Sequence, residues 1–347
     1  DPEDGAFDAS EWLLERKGFL PVPILITEPA VGYGAGLGLL FFRESIGEMA
    51  KRGRRGSQVT PPDIYGVAAA GTDNGTRFGG AGALVTFLDD TWRYKGAVGR
   101  ASVNLDFYGL GGGNLKLGYN LDGWLSSQKL SRRLGDGDNW IAARWVYLDL
   151  TSSFDSLQDP AVLPPHSTVR RSSGAGLSLE HDSRDNIFTP SRGWLGALEG
   201  LFYSPDIGSD ETFQIYRAYG YAYLPYERFV LGLRADDRAG RGDVPFYQLP
   251  YIDLRGVPAV RYQGENAGVV EVELRWNVTP RWALIGFGGA GRTWGERTDF
   301  ANAQTITTVG AGFRYLVARR LGLYAGVDIA WGPEDTAFYI QVGSAWR

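Results

Sequence analysis

The side chains able to do chemistry are few and poorly grouped. The 347-residue chain has two histidines, His166 and His181, and no cysteine. Thiol catalysis, disulfides and zinc–thiolate sites are excluded, and no His or Cys cluster offers a metal its ligands. His181 precedes Asp182 and Ser183, the residue types of a hydrolase triad. Successive strand residues point to opposite faces, however, so contiguity cannot assemble a triad there. His166 follows Pro164-Pro165 in a loop. The run Gly109-Leu110-Gly111-Gly112-Gly113 has the composition of a phosphate cradle, but neither a helix nor a βαβ unit follows it. The most suggestive set is Glu271 and Glu273, two residues apart on one strand face, with Arg255 and Arg275 near them. Such a set reads as an electrostatic clasp, and in a lumen it serves ion pairing or selectivity rather than acid/base chemistry. Asp328, close to Glu334-Asp335, reads as part of a solvated rim. Neither an enzyme nor a cofactor is expected.

The elements that position these residues follow from alternation. From 269 onward Val270, Val272, Leu274 and Trp276 fall on one face and Glu271, Glu273, Arg275 and Asn277 on the other. Neighbouring segments repeat this split, and no helical pattern exists to cover the apolar side. The apolar faces are therefore read as facing lipid. Strands are expected over 24–27, 32–42, 64–70, 77–87, 92–106, 115–125, 140–150, 169–182, 193–203, 212–224, 229–235, 269–276, 281–293, 305–317, 321–331 and 336–346. On the last of these, Phe338, Ile340, Val342 and Trp346 share one side. Long and short connections alternate, which puts the short turns at the periplasmic end and the long loops outside.

Composition agrees. Forty-nine glycines, 11 Trp and 18 Tyr accompany a mean hydropathy of only −0.20. A barrel has this profile, because half of each strand faces a polar lumen and aromatic girdles mark both interfaces. No apolar run reaches the length of a membrane helix. A net charge of −5 leaves no footprint for nucleic acid, and Lys51-Arg52-Gly53-Arg54-Arg55 is too short to change that. Residues 1–20 are expected to form an extension with one short amphipathic helix, opened by a capping box at Asp8-Ala9-Ser10-Glu11 and stopped by Gly18. It would pack beneath the barrel, plug it, lie on the membrane or simply lead into it. Residues 21–347 form the barrel. The fold class is all-β: a transmembrane antiparallel β-barrel of about sixteen strands.

Three motifs resemble the Omp85 superfamily of outer-membrane barrels (the BamA/TamA, surface-antigen type). Leu254-Arg255-Gly256-Val257-Pro258, followed by Arg261-Tyr262-Gln263-Gly264-Glu265 and the Glu271-to-Arg275 strand, is similar to the tip of that family's sixth extracellular loop. Asp182-Ser183-Arg184-Asp185 through Pro190 to Gly193 is similar to its D-x-R-(D/N)-x-x-x-x-P-x-x-G turn. Gln341-x-Gly343-x-x-Trp346 resembles the C-terminal signal read by the barrel-assembly machinery, although Arg347 follows where the pattern ends. The resemblance implies that the sixth loop folds into the lumen and that carboxylates on the inner wall hold Arg255. Glu273 is the first candidate partner. Where the family carries Phe-x-Asp-x-Gly, this chain reads Phe287-Gly288-Gly289-Ala290-Gly291, so the loop is either less firmly latched or held by Glu271 or Asp328 instead.

The resemblance further implies a bacterial outer-membrane protein in contact with lipid and lipopolysaccharide. Twenty N-terminal residues hold neither POTRA domains nor a lipase. Two roles stay open: a barrel engaged in protein assembly or translocation, with a periplasmic or lipoprotein partner or as a subunit of an envelope complex, and a passive pore whose lumen charges set selectivity.

Overall fold

A computed structural model of the chain describes residues 4–45, 47, 54–55, 58–108, 116–154 and 167–346. Sixteen strands form one antiparallel sheet in which each pairs with the next. They are β1 (Gly18–Glu28), β2 (Gly32–Phe42), β3 (Ile64–Thr72), β4 (Arg77–Phe87), β5 (Trp92–Phe107), β6 (Leu117–Arg133), β7 (Asn139–Phe154) and β8 (Ser167–Asp182), then β9 (Gly193–Tyr203), β10 (Phe213–Tyr226), β11 (Phe229–Gly242), β12 (Asn266–Asn277), β13 (Trp282–Trp294), β14 (Ile306–Ala318), β15 (Leu323–Trp331) and β16 (Thr336–Val342). The sheet curls until β16 lies beside β1, but these two share no backbone ladder. The result is a nearly closed transmembrane barrel with a seam.

The two-residue period sorts the side chains. On β12, Val270, Val272, Leu274 and Trp276 are all exposed on the outer wall, whereas Glu271 and Arg275 are buried inside. The outer wall ends in aromatic pairs at the short-turn end: Phe19 with Phe41, Phe87 with Trp92, Phe229 with Trp276 and Trp282 with Tyr315. That is the girdle a lipid-facing surface requires, since amphipathic rings prefer the headgroup level.

Several boundaries differ from those the pattern suggests, each for a local reason. Strand β1 runs through Pro21 and Pro23 instead of starting after them. Prolines two apart remove donors from the same edge of a strand, which β1 tolerates because one of its edges has no ladder partner. Strand β11 continues to Gly242, beyond 235, with Arg234, Asp236 and Arg238 on its inner phase. Strand β16 stops at Val342, because Gly343 adopts φ +82° and turns the chain inward. Trp346 therefore does not continue the outer phase of Phe338 and Ile340. It is buried at the lumen base against Tyr221 and Tyr223. The strict alternation of loop lengths also fails: the long connection 43–63 joins β2 to β3 at the short-turn end, and 29–31, 73–76 and 332–335 are short turns at the opposite one.

The helix α1 (Ser10–Leu14) is shorter than expected and ends well before Gly18. No capping box forms: the N-cap is Ala9, and Asp8 accepts the Ser10 N–H at 2.7 Å. The segment packs beneath the barrel. Ala9 N–H donates to Val317 O, and Arg281 grips Asp4 at 2.6 Å and Asp8 at 2.8 Å. The guanidinium of Arg281, together with the Ala6 N–H, lowers the Asp4 carboxyl to about 2. At Asp8, burial pushes the pKa up, but the Ser10 hydroxyl and Arg281 outweigh it and leave the carboxyl below its usual range.

Candidate functional site

The connection 243–265 between β11 and β12 folds back into the lumen. Its stem is a small hairpin, with Ile252 N–H donating to Tyr262 O and Gly264 N–H to Pro250 O, both at 3.0 Å. Gly264 sits in a tight spot, since a Cβ there would lie 3.0 Å from Thr293 Cβ. Ile252, Leu254, Val257 and Tyr262 bury themselves with Val269 and Ile306 of the inner wall. Hydrophobic burial of this kind docks the loop without specifying direction. The polar contacts at its tip specify it.

Arg255 projects from that tip into a nest of three carboxylates. Its Nε donates to Glu271 Oε1 at 2.7 Å, its Nη2 reaches the same oxygen, and its Nη1 donates to Asp328 Oδ2 at 3.0 Å. Glu273 Oε2 lies 2.8 Å from Nη2 without hydrogen-bond alignment, so its contribution is charge–charge attraction. The guanidinium also stacks over Phe287, 3.6 Å from the ring centroid. Burial works against the proton on Arg255, but Glu273, Glu271 and Asp328 together outweigh it and raise the pKa above the ordinary arginine value. Asp328 is not a solvated rim residue. It is fully buried and doubly bonded by Arg314, at 2.7 Å to Oδ1 and at 2.8 Å to Oδ2, the oxygen that also accepts from Arg255. The position where the resemblance implies an aspartate is Gly289, over which Leu254 packs; a Cβ there would lie 2.8 Å from Leu254 Cδ2. Glu271, from the adjacent strand β12, and Asp328, from β15, supply the charge instead. Arg275 stands apart from this nest, donating to Ser191 Oγ at 2.5 Å near the short-turn end.

Gly256 adopts φ +91°, a conformation that costs other residues strain. Its N–H donates to the Tyr339 hydroxyl at 2.9 Å on β16, and the chain passes so close to β15 that a Cβ on Gly332 would fall 1.8 Å from Gly256 O. Three residues further on, Ala259 N–H donates to Glu28 Oε1 at 3.0 Å on β1. The loop tip thus touches both strands that flank the seam. Arg261 pairs with Glu334 at 3.0 Å and stacks over Tyr108, so Glu334 is engaged rather than free.

Sequence reasoning missed the second half of this network. Asp253 accepts from Arg234 and Arg238, each at 2.9 Å, and both arginines also hold the buried Asp236, which pairs with Arg217 at 2.7 Å. The inner phase of β11 carried the signal, had the strand been extended past 235. Tyr339 and Glu28 gave no signal, because only the closure of the sheet brings them to the loop. The turn motif, in contrast, explains itself locally. Asp182 forks Arg184 with two bonds of 2.8 Å, Asp185 accepts from the Ser191 and Arg192 N–H groups, and a Cβ on Gly193 would lie 2.2 Å from Ser183 O.

The remaining chemical candidates do not assemble. His181 points outward, its Nδ1 2.8 Å from Asn139 Oδ1 and its ring stacked on Trp194. Asp182 points inward to Arg184, and the Ser183 hydroxyl donates to Trp194 O. His166 and the glycine run 109–113 lie outside the described residues, as do Lys51, Arg52 and Gly53. Gln341 faces the lumen opposite Gly326, and Gly343 N–H donates to Tyr324 O at 2.8 Å, so the C-terminal motif is folded into the barrel base.

Fold and loop together define a sixteen-stranded antiparallel β-barrel with a long loop folded into its lumen. Neither a protein-family model nor a curated protein sequence matches the chain. Solved structures do match it. BamA from Haemophilus ducreyi lacking POTRA domains 1–3 superposes with a TM-score of 0.63 at 10% identity, over 94% of this chain and 70% of that one. CdiB from Acinetobacter baumannii gives 0.59 at 13% identity, and CdiB from Escherichia coli 0.61 at 13%, each over 93% of this chain. The chain spans 59% and 62% of those two proteins. At these identities the likeness is one of fold.

Proposed function

We propose that the chain is an Omp85-superfamily barrel of the bacterial outer membrane that serves polypeptide insertion or translocation, as a barrel subunit working with a periplasmic or lipoprotein partner. The observation that carries this reading is the loop held at Arg255 and strapped across the seam through Tyr339 and Glu28. A passive pore has no use for a cation buried among three carboxylates in its lumen, because the plug lowers conductance. An insertion or translocation barrel does, because a closed resting state protects the envelope while a client is absent. Cofactors and metals have no part in the reading. The competing reading, a selective pore, draws support from the inner-wall charges Lys129, Arg144 and Arg217. Planar-bilayer conductance separates the two: the latched barrel gives low, intermittent currents that become larger and longer-lived in Arg255→Ala, whereas steady ohmic current from the parent protein would eliminate the latched reading.

A further inference from the structure

The lumen wall is unequal. On β1 to β4 the only charged residues are Glu28 and Arg77, both at the long-loop end, so these strands are apolar inside as well as outside. Their inner phase carries Val22, Ile24 and Ile26 on β1, then Gly66 and Ala68 on β3 and Gly80 on β4. A lumen wall that met only water would have no reason to be apolar. Beside this quadrant lies a cavity of about 880 Å³ that extends to Lys95, Lys129 and Arg144. These three cations stand side by side, Lys95 opposite Lys129 and Lys129 opposite Arg144 in the strand register. Like charges directly opposite one another destabilise a sheet unless something neutralises them. Glu180 meets Lys129 at 2.7 Å and Glu199 meets Arg144 at 3.0 Å. Among the described residues no carboxylate pairs with Lys95, which is exposed to the lumen.

We propose that the lumen holds a lipid with an anionic headgroup, its phosphate at Lys95 and its acyl chain along the inner wall of β1 to β4. A hydrocarbon chain fits this wall better than a polypeptide does. The wall's backbone groups are consumed by the strand ladders, so an extended peptide lying on it would leave its own amides without partners. An acyl chain has none to satisfy. Entry is available at the seam, where β1 has no ladder to β16 and Pro21 and Pro23 remove two donors. At that edge the outer lipid and the apolar inner wall are separated by one strand. The inference rests on the barrel lying in lipid and not on the loop latch, so the two fail independently.

The test reconstitutes the full chain in phosphatidylcholine nanodiscs with a minority of phosphatidylglycerol, extracts it in mild detergent and reads retained lipid by native mass spectrometry. The parent is expected to keep one phosphatidylglycerol in preference to phosphatidylcholine. Lys95→Gln should lower that retention about fivefold, the worth of one accessible ion contact. Ala68→Phe, which fills the wall, should lower it likewise, and Ile24→Ser serves the same purpose should the bulkier variant not fold. Leu37→Phe, its side chain exposed on the outer wall and outside the cavity lining, should retain lipid as the parent does. Absence of phosphatidylglycerol preference in the parent, or retention unchanged in Lys95→Gln and in the wall variants, overturns the proposal. Glycerol 3-phosphate added as a competitor separates the sources: if it binds the parent and Ala68→Phe equally and no lipid is retained, the site holds a free anion and the lipid assignment is wrong.

Discussion

Replacing Arg255 by alanine tests the latch most directly. The substitution leaves Asp328 with Arg314, at 2.7 and 2.8 Å, but strips Glu271 of its close partner, because Arg234 stands 3.5 Å away. Glu271 is buried, with 2% of its surface exposed, so its charge cannot be rehydrated without moving the loop. Removing one member of a buried pair costs about 3–5 kcal/mol, mainly through the charge left behind. If that cost falls on the docked loop, its opening becomes more frequent by roughly two to three and a half orders of magnitude. Hydrogen exchange at the amides of Ile252, Gly256, Val257 and Gly264 reads this opening, since all four donate within the docked loop or to Tyr339. Arg255→Lys should fall between parent and alanine, because an ammonium cannot reach three carboxylates in a planar fork. Arg255→Ala combined with Glu271→Gln should recover part of the loss, as the stranded charge is gone. Unchanged exchange and protease resistance in Arg255→Ala would refute the reasoning, and a double variant worse than the single would locate the cost elsewhere.

Gly256→Ala forces a side chain into the left-handed region 3.2 Å from Ala330 Cβ, and a loss of about 1–2 kcal/mol in heat-resistant folding on gels is expected. Gly332→Ala, aimed at Gly256 O, should loosen the tip more than it affects the barrel, which loop proteolysis would reveal. The Arg281 clasp on the N-terminal segment depends on pH. The Asp4 pKa is depressed from 3.8 to about 2 in the folded chain, so its contribution is fully present above about pH 4 and lost as pH falls toward 2. Pepsin cleavage of the segment should accelerate through that window, and Arg281→Ala should release it already at neutral pH; a segment that stays protected in both cases would show that Asp4 and Asp8 do not hold it.

How much was legible in the sequence follows the range of the interactions. Alternation decided the fold class, because a strand's two faces are set by neighbours two residues apart, and it separated Glu271 and Glu273 from Val270 and Val272 without any tertiary information. The turn at 182–193 was legible for the same reason: Asp182 meets Arg184, and Asp185 meets Ser191 and Arg192, within one short segment. Strand ends were less legible. Pro21 and Pro23 look like breakers until β1 proves to be an edge, and Trp346 looks like a strand residue until Gly343 turns it inward.

What only the tertiary structure decided is which charges meet. Asp328 is 73 residues from Arg255, Glu28 is 231 residues from Ala259, and Tyr339 is 83 from Gly256. None of these separations carries a local signal. Closing the sheet brings the last strands back beside the first, and the folded-in loop then finds partners from β12, β15, β16 and β1 at once. The sequence determines that an arginine sits at the tip of a long loop and that carboxylates line an inner face. Which of those carboxylates it binds, and that it does so across a seam, depends on strand curvature and register, properties of the whole sheet that no single segment contains.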